Sequence, residues 1–283
     1  MVEGTTTKFD YSRLDLFQRC PLSFKWKYVD ARVPKTPPNM YYAFPGIVIQ
    51  KIFEHFYNDE WFRKRAGCRP FMYDRTPEIF EKTLKWVNVD WQSKIAKKTK
   101  KEVYLEIVEM VGKNLDLIKE KKLLGKFAKS EYKIRTFFGD NKYVVLSSKI
   151  DFLIYNDDGM QILDGKATSN KRNYIKNPTQ LFFYAMMHKF KYGKYPDKIG
   201  YWFWRDAKLV YIDFDKSKID VLRTEIDDAL YKIFKKKFDP TPSYKNCLFC
   251  NYKDECLERK KHIAVTQDEK LGKISSEDLN SFL

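Results

Sequence analysis

Asp151, Asp164 and Lys166 are the residues whose types and spacing point most directly to chemistry, and Cys20, Cys247, Cys250 and Cys256 form a second such group. In an extended strand residues i and i+2 share a face, so Asp164 and Lys166 project together. Gly165 between them leaves room for a close approach by backbone or ligand. Asp151 lies upstream of a turn signal, Asp157-Asp158-Gly159. A hairpin closing on Asp157-Asp158 places Asp151 opposite Asp164, and one closing on Asp158-Gly159 places it opposite Lys166. Either register gathers the three side chains on one face, whereas a slip of one residue sets Asp151 against Gly165 and scatters them. Two neighbouring carboxylates repel unless a cation lies between them, and Mg²⁺ or Mn²⁺ with oxygen ligands is the natural candidate. Such an ion polarises a phosphate and helps to ionise an attacking water, while a lysine beside it offsets developing negative charge. The same residues also read, more plainly, as solvated charges on a surface hairpin.

Cys247, Cys250 and Cys256 follow a C-x2-C-x5-C spacing, and Cys20 lies far upstream. Four thiolates suit either Zn²⁺ or an iron–sulfur cluster. Structural zinc usually draws on two local pairs, whereas here three ligands are local and one is remote. Cys68 stands outside the spacing and reads as an ordinary half-buried thiol. Gln180 and Tyr184 are four apart and so share a helix face; in isolation they read equally well as a core tyrosine beside a solvent-facing amide.

The elements that must position these groups follow from patterning. A first helix is expected with Ser12 as its cap and Asp15 completing a box-like arrangement, running to about Tyr28, before Pro34, Pro37 and Pro38 break the chain. A second helix follows Pro45 and carries Gly46, Gln50, Glu54 and Tyr57, and residues 76–122 show helix-like apolar spacing. Strands are expected over 127–137, 142–154 and 161–166, then a helix over 176–192, strands over 198–204 and 208–214, and a last long helix over 216–238. The expected organisation is an N-terminal helical region over 1–125, a sheet-bearing core over 126–240, a cysteine module over 241–262 and a polar tail over 263–283, all in one compact unit. The fold class is α/β, of the α+β kind, with a mixed central sheet.

Bulk properties narrow the partners. The chain has 283 residues, 43% apolar, enough for a real core. Its 54 lysines and arginines against 38 acids give a net charge of +16, which suits a polyanion, nucleic acid before an anionic membrane. Aromatics reach 17%, and rings beyond those needed for the core can stack on unpaired bases. Basic runs occur at Lys94–Lys101, Lys119–Lys126 and Lys232–Lys237, and Lys171, Arg172 and Lys176 directly follow the Asp164–Lys166 strand. No stretch approaches the length of a membrane span and no export signal is visible, so a cytoplasmic location is expected, in a host cytoplasm if the chain is viral. Cysteines in that compartment favour metal or thiol chemistry over disulfides. No G-x4-G-K-[ST] motif occurs, so a helicase partner would be a separate chain.

Taken in order, Tyr11-Ser12…Phe17…Cys20-Pro21…Phe24…Tyr28, Gly46…Gln50, Ile150-Asp151, Asp164-Gly165-Lys166, Gln180-x3-Tyr184 and the late C-x2-C-x5-C resemble the RecB-like branch of the PD-(D/E)xK nucleases in its iron–sulfur form, whose members include CRISPR-adaptation exonucleases, AddB and phage homologues. The resemblance covers residues 11 to about 258. It implies a restriction-endonuclease-like core, with Asp151, Asp164 and the carbonyl of Gly165 holding Mg²⁺ or Mn²⁺. Gln50 would neighbour the metal, Lys166 would be the catalytic lysine, and Gln180 and Tyr184 would line the site and contact DNA. It also favours a [4Fe–4S] cluster over zinc at Cys20, Cys247, Cys250 and Cys256. The implied activity is a DNA nuclease, an exonuclease preferring single strands, in recombination, repair, replication or CRISPR-adaptation-like processing. Helicase, recombination or adaptation proteins would be its partners. The competing reading is a non-catalytic DNA-binding or scaffold subunit of such an assembly. Three departures stand out. Gln50 occupies the place of a usual histidine, and a neutral amide oxygen is less favourable for Mn²⁺ than imidazole; His55, five residues past Gln50, faces another way. Ser148 replaces a glycine before Asp151, and the threonine after the lysine is displaced to Thr168. Glu131 falls where relatives place a supporting acid, although a plain surface glutamate is the simpler reading.

Overall fold

The computed structural model describes residues 7–35, 38–59, 69–139, 143–168 and 170–268; Cys68 and most of the expected tail lie outside them. The chain separates into two compact units, one formed by residues 7–8 and 39–219 and the other by residues 9–38 and 220–268.

The first unit is built on a six-stranded mixed sheet. Its strands are β1 (Thr7–Phe9), β2 (Phe127–Phe138), β3 (Val144–Asn156), β4 (Gly159–Lys166), β5 (Lys198–Phe203) and β6 (Lys208–Ile212). β1 and β2 both pair with β3, and the order continues through β4 and β5 to β6. β4 and β5 run parallel, whereas β2–β3, β3–β4 and β5–β6 are antiparallel. The β3–β4 hairpin pairs Asn156 with Gly159 and Phe152 with Leu163, so it closes on Asp157-Asp158. That is the first of the two registers the sequence allowed, and its next step sets Asp151 across from Asp164.

Helices α3 (Phe44–Asn58), α4 (Arg69–Leu84) and α5 (Lys100–Glu120) bury their apolar faces with Phe152, Ile154, Leu163, Trp202 and Trp204 of the sheet. Phe53 stacks on Trp202 with ring centroids 5.0 Å apart, and Tyr57 meets Phe152 at 5.2 Å. Rings in such offset and edge contacts add to the stabilisation from buried area, by about 0.5–1.5 kcal/mol a pair. Buried Asn114 of α5 donates to the Trp204 carbonyl and accepts from Trp202 Nε1, which satisfies a polar group whose burial would otherwise be costly. After β4 the chain forms α6 (Arg172–Lys176) and α7 (Thr179–Tyr192). The latter packs on β2, β3, β4 and β5, on the face to which Ile162 points. Gly193 ends it in the left-handed conformation, φ 76°.

The second unit contains α1 (Tyr11–Arg19), α2 (Pro21–Phe24) with a π-helical turn over Lys25–Val29, most of α8 (Lys216–Phe234), α9 (Tyr244–Leu248) and α10 (Leu257–Asp268). Phe24 contacts Phe17 and Phe238, and Trp26 contacts Tyr252. Among the described residues no helix is long and apolar enough to cross a membrane.

Several boundaries differ from expectation for identifiable reasons. The first helix is capped by Asp10, whose carboxylate accepts the Arg13 N–H at 2.9 Å, and not by Ser12. It stops at Arg19 because Pro21 disfavours helical backbone at Cys20, which is extended at φ −163°. The expected helix over 76–122 is two helices; the second starts at a capping box in which Thr99 and Glu102 satisfy each other's backbone N–H groups. The stretch 176–192 is divided at Pro178, the N-cap of α7.

Candidate functional site

Sheet geometry places the first site. Asp151 leaves β3 opposite Asp164 on β4, and Asp151 Oδ2 accepts the Gly165 N–H at 2.9 Å. Asp164 is fully buried and forms an ion pair with Lys166, yet neither of its oxygens accepts a well-aligned hydrogen bond. Lys166 Nζ donates to Gln180 Oε1 at 3.3 Å, and Gln180 Nε2 donates to the Tyr184 hydroxyl at 2.8 Å. The i, i+4 pair on α7 thus forms a rail along which the lysine is held. Tyr174 of α6 lies under the ammonium, 5.3 Å from Nζ to ring centroid.

From α3, Gln50 enters the same place. Its Nε2 donates to Glu131 Oε1 at 3.0 Å, while its Oε1 is buried without a partner. Helix α3 can come this close because position 46 is glycine: an added Cβ would stand 3.2 Å from the Ala167 Cβ. Gly165 is required more strictly, since a Cβ there would overlap the six-membered ring of Trp204. Asp151, Gly165, Lys166, Gln50, Glu131 and Trp204 border an open cleft of about 350 Å³. A larger depression of about 570 Å³ lies further along α3, but Lys51 and Glu54 pair with each other there and Asn58 is spent on Ser130, so no set of free groups converges in it.

The electrostatics are those of an anionic pair in low dielectric. Burial, reinforced by Asp164 and Glu131, pushes the Asp151 carboxyl well above its ordinary range, against the opposing pull of Lys166 and the Gly165 N–H. Burial works against the charge of Lys166, but Asp164 and Asp151 outweigh it and hold the ammonium above its usual pKa. Burial and the same two acids push the Tyr184 phenol well up, so it stays protonated.

These donors fit a hard divalent cation. Such an ion would relieve the Asp151–Asp164 repulsion, add to the one contact that Asp164 has in Lys166, and give a partner to Gln50 Oε1, which accepts no hydrogen bond. Among the described residues no three His, Cys, Asp or Glu side chains are drawn together tightly enough to hold an ion alone. A set of two carboxylates and an amide suits Mg²⁺ or Mn²⁺, which complete their shells with water and substrate oxygens.

The second site lies within the second unit. Cys20, Cys247, Cys250 and Cys256 line one small cavity together with Trp26, Pro240 and Pro242. The break at Cys20-Pro21 brings the first thiol there, and Asn246 and Thr241 fasten that turn by donating to the Arg19 carbonyl at 2.7 and 2.6 Å. Burial raises the Cys247 thiol, and Cys250, Cys256 and Cys20 raise it further, so the other three lie within its field. Ser23 Oγ is 3.7 Å from Cys250 Sγ, and the Arg259 N–H points to Cys256 Sγ at 3.5 Å.

Of the residues that the sequence points to for catalysis, metal or thiol ligation, Gln50, Asp151, Asp164, Gly165, Lys166, Gln180 and Tyr184 gather about the cleft and the four cysteines border the cavity. Glu131, read from sequence as a plain surface residue, is turned inward with its side chain 17% exposed. Trp204, which fixes how close β4 can be approached, carried no motif.

A family profile described as the PD-(D/E)XK nuclease superfamily matches residues 8–257. No curated protein matches the sequence. A solved crystal structure, that of SSO0001, aligns with 78% of this chain and 98% of its own, at 10% identity and a TM-score of 0.32.

Proposed function

Because this chain belongs to the PD-(D/E)XK nuclease superfamily, we propose that it is a Mg²⁺- or Mn²⁺-dependent deoxyribonuclease of the RecB-like branch, acting as an exonuclease on single-stranded DNA. The observation that carries the reading is the placing of Asp151 and the buried Asp164 on the two strands of one hairpin, with Lys166 ion-paired to Asp164 and with Asp151 and Lys166 bordering an open cleft. The net charge of +16 favours a polyanion, and the abundance of rings favours unpaired bases. Work in recombination, repair or adaptation-like processing follows from the branch alone.

Asp151, Asp164, Gln50 Oε1 and the Gly165 carbonyl are the groups that would hold the ion. When bound, it supplies Lewis-acid polarisation of the scissile phosphate and assists ionisation of the attacking water. The chain's own residues do the rest. Lys166, cationic at neutral pH, sits where it can orient the water and balance charge that builds on the phosphate oxygens. Gln180 and Tyr184 keep Nζ from swinging toward solvent. Gly165 and Trp204 shape the wall against which the backbone of a strand would lie.

We also propose a [4Fe–4S] cluster at Cys20, Cys247, Cys250 and Cys256. Four thiols border one cavity, and a backbone N–H directed at Cys256 is the kind of contact that stabilises cluster sulfur.

The test is a time course on 5′- and 3′-end-labelled single- and double-stranded DNA with Mg²⁺, Mn²⁺ or EDTA. Cleavage is expected with either metal and not with EDTA. Asp164→Ala and Lys166→Ala should each reduce it by roughly 10²–10³-fold or more. Activity that persists in EDTA, or in both variants, would refute the assignment; DNA binding without cleavage by the wild type would mark a scaffold instead.

A further inference from the structure

Glu131 stands in β2 directly across from Asp151: the flanking pairs are Ser130 with Phe152 and Tyr132 with Ile150, and the pairing lapses between them. Its backbone is left-handed, φ 52°, a conformation that costs a glutamate about 1–2 kcal/mol. The consequence is a local reversal of alternation. Neighbours in a regular strand point to opposite faces, but Ser130 Oγ and Glu131 Oε1 both meet the amide of Gln50, at 3.5 and 3.0 Å, while Tyr132 turns to Tyr192 on α7. Asn58, about two turns beyond Gln50 on α3, grips the residue before the reversal. It donates to the Ser130 carbonyl at 2.9 Å and accepts the Ser130 N–H at 3.2 Å. Strain of this kind persists where surrounding contacts over-determine it.

The reversal has a chemical result. An ionised carboxylate only accepts hydrogen bonds, so Glu131 must meet the NH₂ end of Gln50. The carbonyl end is thereby turned away from Glu131, and that oxygen is the buried, partnerless Oε1 in the cleft with Asp151 and Lys166. The other oxygen of Glu131 accepts from Lys149 Nζ at 2.9 Å, which anchors the carboxylate and offsets part of the charge it adds beside Asp151. We infer that Glu131 is a positioning residue: it selects the carbonyl end of Gln50 as a neutral oxygen ligand for the divalent ion held by Asp151 and Asp164. The inference rests on the functional reading above and adds to it how a glutamine serves at this position and why β2 carries a strained acid there.

The experiment is a double-mutant cycle read by calorimetric titration of the full chain with MnCl₂, without DNA. Glu131→Ala should weaken Mn²⁺ binding by about 10-fold or more. In a Gln50→Ala background the same change should cost less than about 3-fold, because the charge of Glu131 is still removed but nothing remains for it to orient. Equal losses in the two backgrounds would overturn the inference and make Glu131 a direct ligand or a bare charge; unchanged binding in Glu131→Ala would overturn it as well. If Glu131→Ala does not melt cooperatively, Glu131→Gln replaces it in the cycle. Its rotatable amide no longer dictates which end of Gln50 it meets, and the loss must again depend on Gln50. Wild-type protein that binds no Mn²⁺, or binds it undiminished by Asp164→Ala, would bring down the functional reading itself, and the inference with it.

Discussion

Replacing Gly165 by alanine drives a methyl group into the indole of Trp204, toward Cζ2, Cη2 and Cε2 of its six-membered ring. The ring cannot swing aside, since Trp204 is 2% exposed with Phe53 and Phe152 packed around it, at 6.0 and 6.3 Å between centroids. Overpacking of a dense core costs typically 1–3 kcal/mol, and the rigid surroundings put this case near about 3. At roughly 2–4 °C per kcal/mol for a domain of this size, Gly165→Ala should lower Tm by about 6–12 °C. A melt followed by near-UV circular dichroism, without divalent ions, measures this and reports on the ring itself. The reasoning also requires compensation. Trp204→Phe removes the obstructing atoms together with Nε1, a buried donor that lacks a partner, so the double variant should be more stable than the two single losses predict, by about 1.5 kcal/mol or more. A Gly165→Ala protein that melts within about 1 °C of wild type, or strict additivity in the double variant, would refute the packing argument.

Two further expectations follow. Cys250→Ala should abolish the broad absorbance near 400 nm of anaerobically purified protein and lower its Tm; a colourless wild type carrying stoichiometric zinc would contradict the cluster. Buried His188 must donate Nδ1–H to the Lys194 carbonyl, 2.8 Å away, and burial holds its pKa below the usual value. A depressed folded-state pKa contributes stability that is present above the unfolded value of about 6.5 and is lost as pH falls through the folded one. His188→Asn should therefore lose less stability than wild type on passing from pH 7.5 to 5, as read by urea midpoints, and equal losses would rule out the histidine as the source.

The β3–β4 hairpin was legible because its information is local. Asp157-Asp158-Gly159 marks the turn and narrows it to two registers, alternation puts Asp151, Asp164 and Lys166 on one face in either, and the structure selects the first. The Gln180–Tyr184 rail was legible as a shared helix face, though its target, Lys166, depends on how the crossover packs on the sheet. Glu131 was noted from the resemblance as standing where relatives place a supporting acid, but its inward turn was not legible, because the contacts that hold its left-handed backbone come from Gln50 and Asn58, remote in sequence. The helix break at Cys20 was present in the sequence as Pro21, and the helix start at Thr99 as a capping box with Glu102; apolar periodicity continued across both and obscured them. The lysine runs show the reverse case. Lys98, Lys100, Lys121 and Lys232 each pair with an acid on their own surface, so a dense run in sequence is not by itself an open phosphate track.

The interleaving of the two units has a bearing on how the protein matures. Residues 39–219 are contiguous, so during synthesis the sheet and helices α3, α4 and α5 can assemble as soon as β6 has left the ribosome. The thiol-lined cavity has no such opportunity, because Cys20 emerges early and must wait, reduced and unpaired, for the stretch bearing Cys247, Cys250 and Cys256. Any cofactor that the four thiols take would therefore load last, onto a chain whose sheet is already in shape.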